Sequence, residues 1–317
     1  MNSKKWRKIK LLKRLTAILL AVFVLAFLAV FFAFIPFRLL LPAYKLPARG
    51  EGELRLHFLD LDGGVTIVEF PSGSVLVVNA GGGTYDGDNT LFRYLRGIKP
   101  SKVSLLAENA DARHVGGVPA LLDTVRVDTV YLPAYGAETG SYQRFLSAIE
   151  RKKVNAERIS RYGVIADGSG AYAVCLSPYS EEAGSVYDSS VVLYLSYAGV
   201  NVVLAGDTSA ARAGRLAEEY ATFPQIFDSG EYRVRLDETK ILYASCPNAL
   251  SCTNREWLSL LAPELCVLSC NKNERPQSAV LENASLYCKK VCRTDELNTT
   301  IVTVKDGGYT ITPHVIK

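Results

Sequence analysis

The sequence predicts an α/β protein, an αββα sandwich of two mixed sheets flanked by helices, preceded by one N-terminal transmembrane helix. Three observations carry this expectation. Short apolar or alternating runs recur through most of the chain, among them Val65–Phe70, Val75–Val78, Val103–Ala107, Ala171–Leu176, Ser190–Tyr197, Val200–Leu204, Ile241–Ala244 and Leu265–Cys270, with the period and length of strands. Amphipathic stretches at 89–98, 115–122, 142–152 and 210–220 have the spacing of helices, and blocks of strands followed by a helix stack as layers around shared cores. Leu15–Phe37 then runs 23 residues without a charge, a helix long enough to cross the ~30 Å apolar core of a bilayer.

The N-terminus sets the organisation. Residues 1–14 hold seven cations and no acid, and a cationic flank is retained in the cytoplasm. A signal peptide is the competing reading, but its apolar region spans only ~7–15 residues and no small-x-small cleavage site follows here. The expected domains are a cytoplasmic basic segment (1–14), a transmembrane anchor (15–37), a linker (38–52) with two prolines and two glycines, and an extracytoplasmic globular domain (53–317). No internal repeat or low-complexity tract interrupts it.

The formal charge of +4 comes from that N-terminus. Residues 1–49 carry ten Lys/Arg and no acid, leaving 26 cations against 32 acids in the rest, a net of −6. A bulk basic footprint, the usual sign of a nucleic-acid binder, is missing, so no nucleic-acid partner is expected. All seven Cys follow the anchor. An odd count outside the cell allows up to three disulfides with one thiol over, although Cys266 and Cys270, four residues apart on one strand at ~13 Å, cannot bridge each other. Their spacings are not those of a structural zinc site.

Chemistry concentrates at 104–117, S-L-L-A-E-N-A-D-A-R-H-V-G-G. An apolar strand ends there in a polar loop closing on His114 and two glycines, the place where α/β proteins keep their sites. This loop resembles T-H-x-H-x-D-H-x-G-G of the metallo-β-lactamase superfamily, with Asn109, Asp111 and Arg113 in place of two His and one Asp. Residues 57–60 (H-F-L-D) and 75–81 (V-L-V-V-N-A-G) are similar to H-F-L-D-V-G-Q-G-D and L-V-D-A-G of the ComEC-type DNA-uptake branch. Val65 replaces the first motif's closing acid and Asn79 the second motif's Asp. L-A-G-D, ending at Asp207, matches L-T-G-D. The tail V-C-R-T-D-E-L-N-T-T-I-V-T-V resembles Y-R-T-D-E-N-G-x-I-T-V. The family's H-H-G-S has become Ser245-Cys246-Pro247-Asn248, and R-Y-G-H-P has become Asn273-Glu274-Arg275-Pro276. The resemblance covers about 54–312.

That resemblance implies a two-zinc hydrolase, with Asp207 on the metal-bridging carboxylate. The residues argue against the metals. Such a site needs about seven N, O or S ligands, mostly imidazole, and the chain has three His. His57 on an opening strand and His314 in the tail match no ligand, leaving His114, Asp207 and Asp111. Those three could at most hold one divalent metal, zinc or manganese, and Arg113 puts a permanent cation among them. No cofactor is expected. A Cys246/His114 nucleophile pair is conceivable, but nothing local activates the thiol. Gly81-Gly82-Gly83 follows a strand without a Walker Lys and reads as a turn.

The expected function is therefore a membrane-anchored pseudoenzyme that binds a protein or envelope ligand. The alternative is a residual metal-dependent hydrolase acting on a phosphodiester or envelope substrate. DNA uptake rests on the branch alone, with an acidic domain and no multi-helix channel region beside it. One structural expectation is sharp. Asp207 without its metal would be an unpaired buried charge, and Arg113 can meet it through a planar fork, with Asp111 as the second partner.

Overall fold

The computed structural model describes residues 3–34, 37–179, 185–245, 253–270 and 275–315. The chain divides into two compact units, Met1–Pro42 and Ala43–Lys317. The first is built on one helix, α1 (Ser3–Phe34). By length and composition, Ile9–Ala29 of that helix is able to cross a membrane. The helix starts inside the basic segment because Lys, Arg and Leu are all strong helix formers.

The second unit carries the strands β1 (Leu54–Phe58), β2 (Thr66–Glu69), β3 (Val75–Val78), β4 (Val103–Leu106), β5 (Thr129–Leu132), β6 (Asn155–Arg158), β7 (Val164–Ala166), β8 (Tyr172–Ser177), β9 (Val192–Tyr197), β10 (Val200–Gly206), β11 (Thr239–Ala244), β12 (Leu265–Leu268), β13 (Lys290–Arg293), β14 (Thr299–Lys305) and β15 (Gly308–His314). Its helices are α2 (Tyr85–Ile98), α3 (Ala112–Val115), α4 (Val118–Thr124), α5 (Gly140–Lys152), α6 (Ala210–Thr222), α7 (Arg255–Leu261), α8 (Ser278–Tyr287) and α9 (Thr294–Leu297). One sheet has the order β15-β14-β1-β2-β3-β4-β5-β6 and the other β13-β12-β11-β10-β9-β8-β7. Both are mixed, with β3 to β6 parallel in the first and β10 to β13 parallel in the second.

Strand alternation builds the layers. Leu54, Leu56 and Phe58 of β1, Val202 and Leu204 of β10 and Ile241 and Tyr243 of β11 share one core between the sheets, where Phe58 stacks on Tyr243 at 4.9 Å. Their odd-phase neighbours face outward. Val75 and Val77 of β3 pack with Leu91 and Leu95 of α2 and Phe145 of α5. Val203, Leu242 and Cys266 pack with Leu216 of α6 and Trp257 of α7. This is the αββα sandwich, and period two is its cause.

Three local expectations are corrected. The expected helix 115–122 is two short helices, because Gly116 and Gly117 lie against the backbone of residues 80–83; a Cβ on Gly117 would collide with the Ala80 carbonyl. The expected helix 89–98 starts at Tyr85, capped by the Thr84 hydroxyl accepting from the Gly87 N–H at 3.2 Å. Strand Leu265–Cys270 stops at Leu268, after which Thr294 Oγ1 accepts from the Cys270 N–H at 2.9 Å in place of a neighbouring strand. Among the described residues, Cys175, Cys266, Cys270, Cys288 and Cys292 are all buried. Cys252 lies outside them.

Candidate functional site

Parallel strands of both sheets deliver the site at their C-terminal ends: Asn79 after β3, residues 108–114 after β4, Asp207 after β10 and Ser245 after β11. In open α/β sheets these ends leave the crevice where ligands sit. The topology brings Asn109, Asp111, Arg113, His114 and Asp207 into one cluster. Cys246 lies outside the described residues.

Asp207 is its centre and is buried. Its Oδ2 lies 3.1 Å from Arg113 Nη2 and 3.3 Å from His114 Nε2, while Oδ1 accepts from Ser245 Oγ at 2.8 Å. Arg113 also reaches Asp111, with Nε donating to Oδ1 at 3.2 Å. The same Oδ1 accepts from the Arg113 backbone N–H at 2.8 Å and so caps α3. Asn109 orders the other side. Its Oδ1 faces His114 Nδ1 at 2.8 Å and accepts from the Asp111 N–H at 2.9 Å, and its Nδ2 donates to Ser190 Oγ at 2.7 Å.

The electrostatics follow from these contacts. Burial pushes Asp207 up, but His114, Arg113 and Ser245 outweigh it and hold the carboxyl below its ordinary range. Burial pulls His114 down, and the Asp207 and Glu108 carboxylates more than restore it, so its pKa ends above that of a free imidazole. Both ring nitrogens face oxygen acceptors, the arrangement of an imidazolium.

The sequence did not single out Glu108. This acid stands where the family motif has Thr, fully buried, and burial pushes its pKa to about 7. Asn79 Nδ2 donates to Glu108 Oε2 at 2.7 Å, and the Glu108 N–H donates to Asn79 Oδ1 at 3.1 Å. The carboxylate of the family's second motif has in effect moved from position 79 to position 108. Oε1 has no hydrogen-bond partner and presses against Gly206, whose φ of 51° and missing Cβ make the room. The available signal was an acid ending an apolar strand.

These residues do not fit a metal. Among the described residues no cluster of three or more His, Cys, Asp or Glu is able to hold one. The lone imidazole presents no unengaged nitrogen, and the carboxylate that would bridge two cations is held by a guanidinium, a hydroxyl and that imidazole. Apart from Glu108 Oε1, the cluster's donors and acceptors pair largely with one another.

No protein-family model matches the chain. It is 25% identical to ComE operon protein 3 of Bacillus subtilis over 234 residues, which is 72% of this chain and 28% of that protein. The chain thus spans less than a third of the relative's length. Among solved structures, the metallo-β-lactamase fold protein YhfI of Bacillus subtilis aligns with a TM-score of 0.49 at 10% identity, covering 82% of this chain and 100% of that one. Zn(2+)-bound PqqB of Methylobacterium extorquens aligns with a TM-score of 0.46 at 12% identity, over 77% and 86%. The strand order, the motifs in order along the chain and the match to ComE operon protein 3 give the second unit a metallo-β-lactamase-like fold, similar to the ComEC-type branch.

Proposed function

We propose that this protein is a membrane-anchored pseudoenzyme. In this reading α1 is an uncleaved anchor, the N-terminus is cytoplasmic and the domain stands outside, where it binds or scaffolds a protein or envelope ligand without hydrolysing it. One contact carries the loss of chemistry: Arg113 Nη2 lies 3.1 Å from Asp207 Oδ2. A guanidinium keeps its charge at any physiological pH and so competes permanently with a metal for that oxygen. The apolar stretch Ile9–Ala29 with cations on its N-terminal side supports the anchor and its orientation.

Two measurements test the reading. The full chain in detergent, incubated with zinc or manganese, is expected to hydrolyse bis-p-nitrophenyl phosphate no faster than buffer. Turnover abolished by His114→Ala would replace the pseudoenzyme with a residual metal-dependent hydrolase. Protease added to intact protoplasts is expected to digest the domain; protection until lysis would reverse the topology.

A further inference from the structure

A second charged cluster occupies the opposite ends of β3 and β4, around a cavity of about 360 Å³. Arg49, Arg55, His57, Glu69, Gly73 and Lys99 line it. The size is that of a small-molecule site, and the charge runs against the background. Three cations and one carboxylate face the cavity, and Glu53, 2.9 Å from Arg55 Nη2, adds one more acid nearby. A positive surplus remains in a unit, residues 43–317, whose net charge is −4.

The hydrogen bonds show which groups are already committed. Glu69 spends both oxygens internally, Oε1 on Arg49 Nε at 3.0 Å and Oε2 on His57 Nε2 at 3.1 Å. His57 Nδ1 meets the Tyr94 hydroxyl at 3.0 Å, so the imidazole is structural. Arg49 Nη1 donates to the Pro71 carbonyl at 2.8 Å. Arg55 donates through Nη1 to the Pro47 carbonyl at 2.8 Å and through Nη2 to the Ala48 carbonyl at 2.7 Å.

Other donors are left over. Arg55 Nε has no acceptor but is fully buried, out of reach of a solute. Among the described residues Arg49 Nη2 has no acceptor and Lys99 no ion pair. Lys99 is exposed at the C-cap of α2 with φ 58°. At Gly73, φ 85°, a Cβ would stand 3.4 Å from Arg49 Nη2, so its absence keeps that guanidinium edge clear.

We propose that this cavity binds a small free solute through an oxyanion group, carboxylate or phosphate, using Arg49 Nη2 and Lys99 as donors. Guanidinium edges match the geometry of both groups, and Lys99 adds a mobile point charge. The site is independent of the pseudoenzyme reading, because it shares no residue with the Asp207 cluster and lies at the other end of the same strands.

The test is thermal unfolding of the full chain in a neutral detergent, titrated with sodium phosphate or sodium succinate against sodium chloride at matched ionic strength. At least one of the two is expected to raise Tm saturably, by roughly 5 °C at about 100 times its Kd. Lys99→Gln, which touches no core contact, is expected to weaken that affinity at least about tenfold, as is Arg49→Gln. Lys153→Gln removes the same charge from the exposed, left-handed C-cap of α5 and is expected to leave the affinity unchanged. The proposal is overturned if neither anion gives a saturable shift beyond chloride, if Lys99→Gln binds as tightly as the parent, or if Lys153→Gln weakens binding equally.

Discussion

The two ends of β3 and β4 carry charged clusters of opposite kinds. At the C-terminal end, Asp111, Asp207, Glu108, Arg113 and His114 compensate one another, and Asp207 accepts from Arg113, His114 and Ser245. At the N-terminal end, Arg49, Arg55 and Lys99 outnumber Glu69 and surround a cavity of about 360 Å³. A cluster whose charges are spent mostly on one another contributes to stability and offers little to a ligand. One that leaves donors unspent around open volume is poised for a partner. In the proposed reading, the position that holds metals in the family is structural here, and recognition falls to the open end.

Substitutions at the closed end break this comparison most severely. Asp207→Ala leaves the Arg113 and His114 charges beside an uncompensated, largely buried site and is expected to cost about 3–5 kcal/mol, read by denaturant unfolding. Arg113→Asp restores the family residue but sets a third carboxylate beside Asp111 and Asp207, with an expected loss of about 3 kcal/mol. Arg113→Ala is expected to cost less, about 1–2 kcal/mol, because its side chain is 30% exposed and water recovers part of the charge. If Ala proved worse than Asp, the pair would not be what holds this end together.

The open end responds more weakly. Burial holds His57 below the ordinary imidazole pKa, although Glu69 opposes it. The unfolded chain therefore takes up a proton below pH ~6.5 that the folded chain refuses. Stability from this group is complete above that pH and declines as pH falls through it toward the folded value. His57→Gln is expected to flatten this part of the acid slope, measured as unfolding midpoints at a series of pH values. Lys99→Gln is expected to change stability by less than about 0.5 kcal/mol, which makes it the clean probe of the cavity.

Much of the fold was legible because buried strands write themselves in period two. Val75–Val78 and the alternating faces of Ile241–Ala244 follow directly from their residues. Strand β6 was not legible: Asn155–Arg158 is exposed throughout and has no apolar face to announce it. The break between α3 and α4 was hidden for a different reason. Val115–Leu122 keeps helical spacing, and only the packing of Gly116 and Gly117 against residues 80–83 interrupts it. At the site, the Arg113–Asp207 pair follows from asking what neutralises a carboxylate that has lost its metal. Glu108 escaped that reasoning because it replaces a Thr rather than a ligand, and only the approach of Asn79 and Gly206 reveals it.

In the proposed reading, the Arg113 guanidinium takes the place of metal at Asp207. The most direct test is the metal content of the full chain, purified from medium supplemented with zinc and manganese and measured by mass spectrometry. Well under one equivalent of either metal per chain is expected. One equivalent or more, lost in His114→Ala, would contradict it.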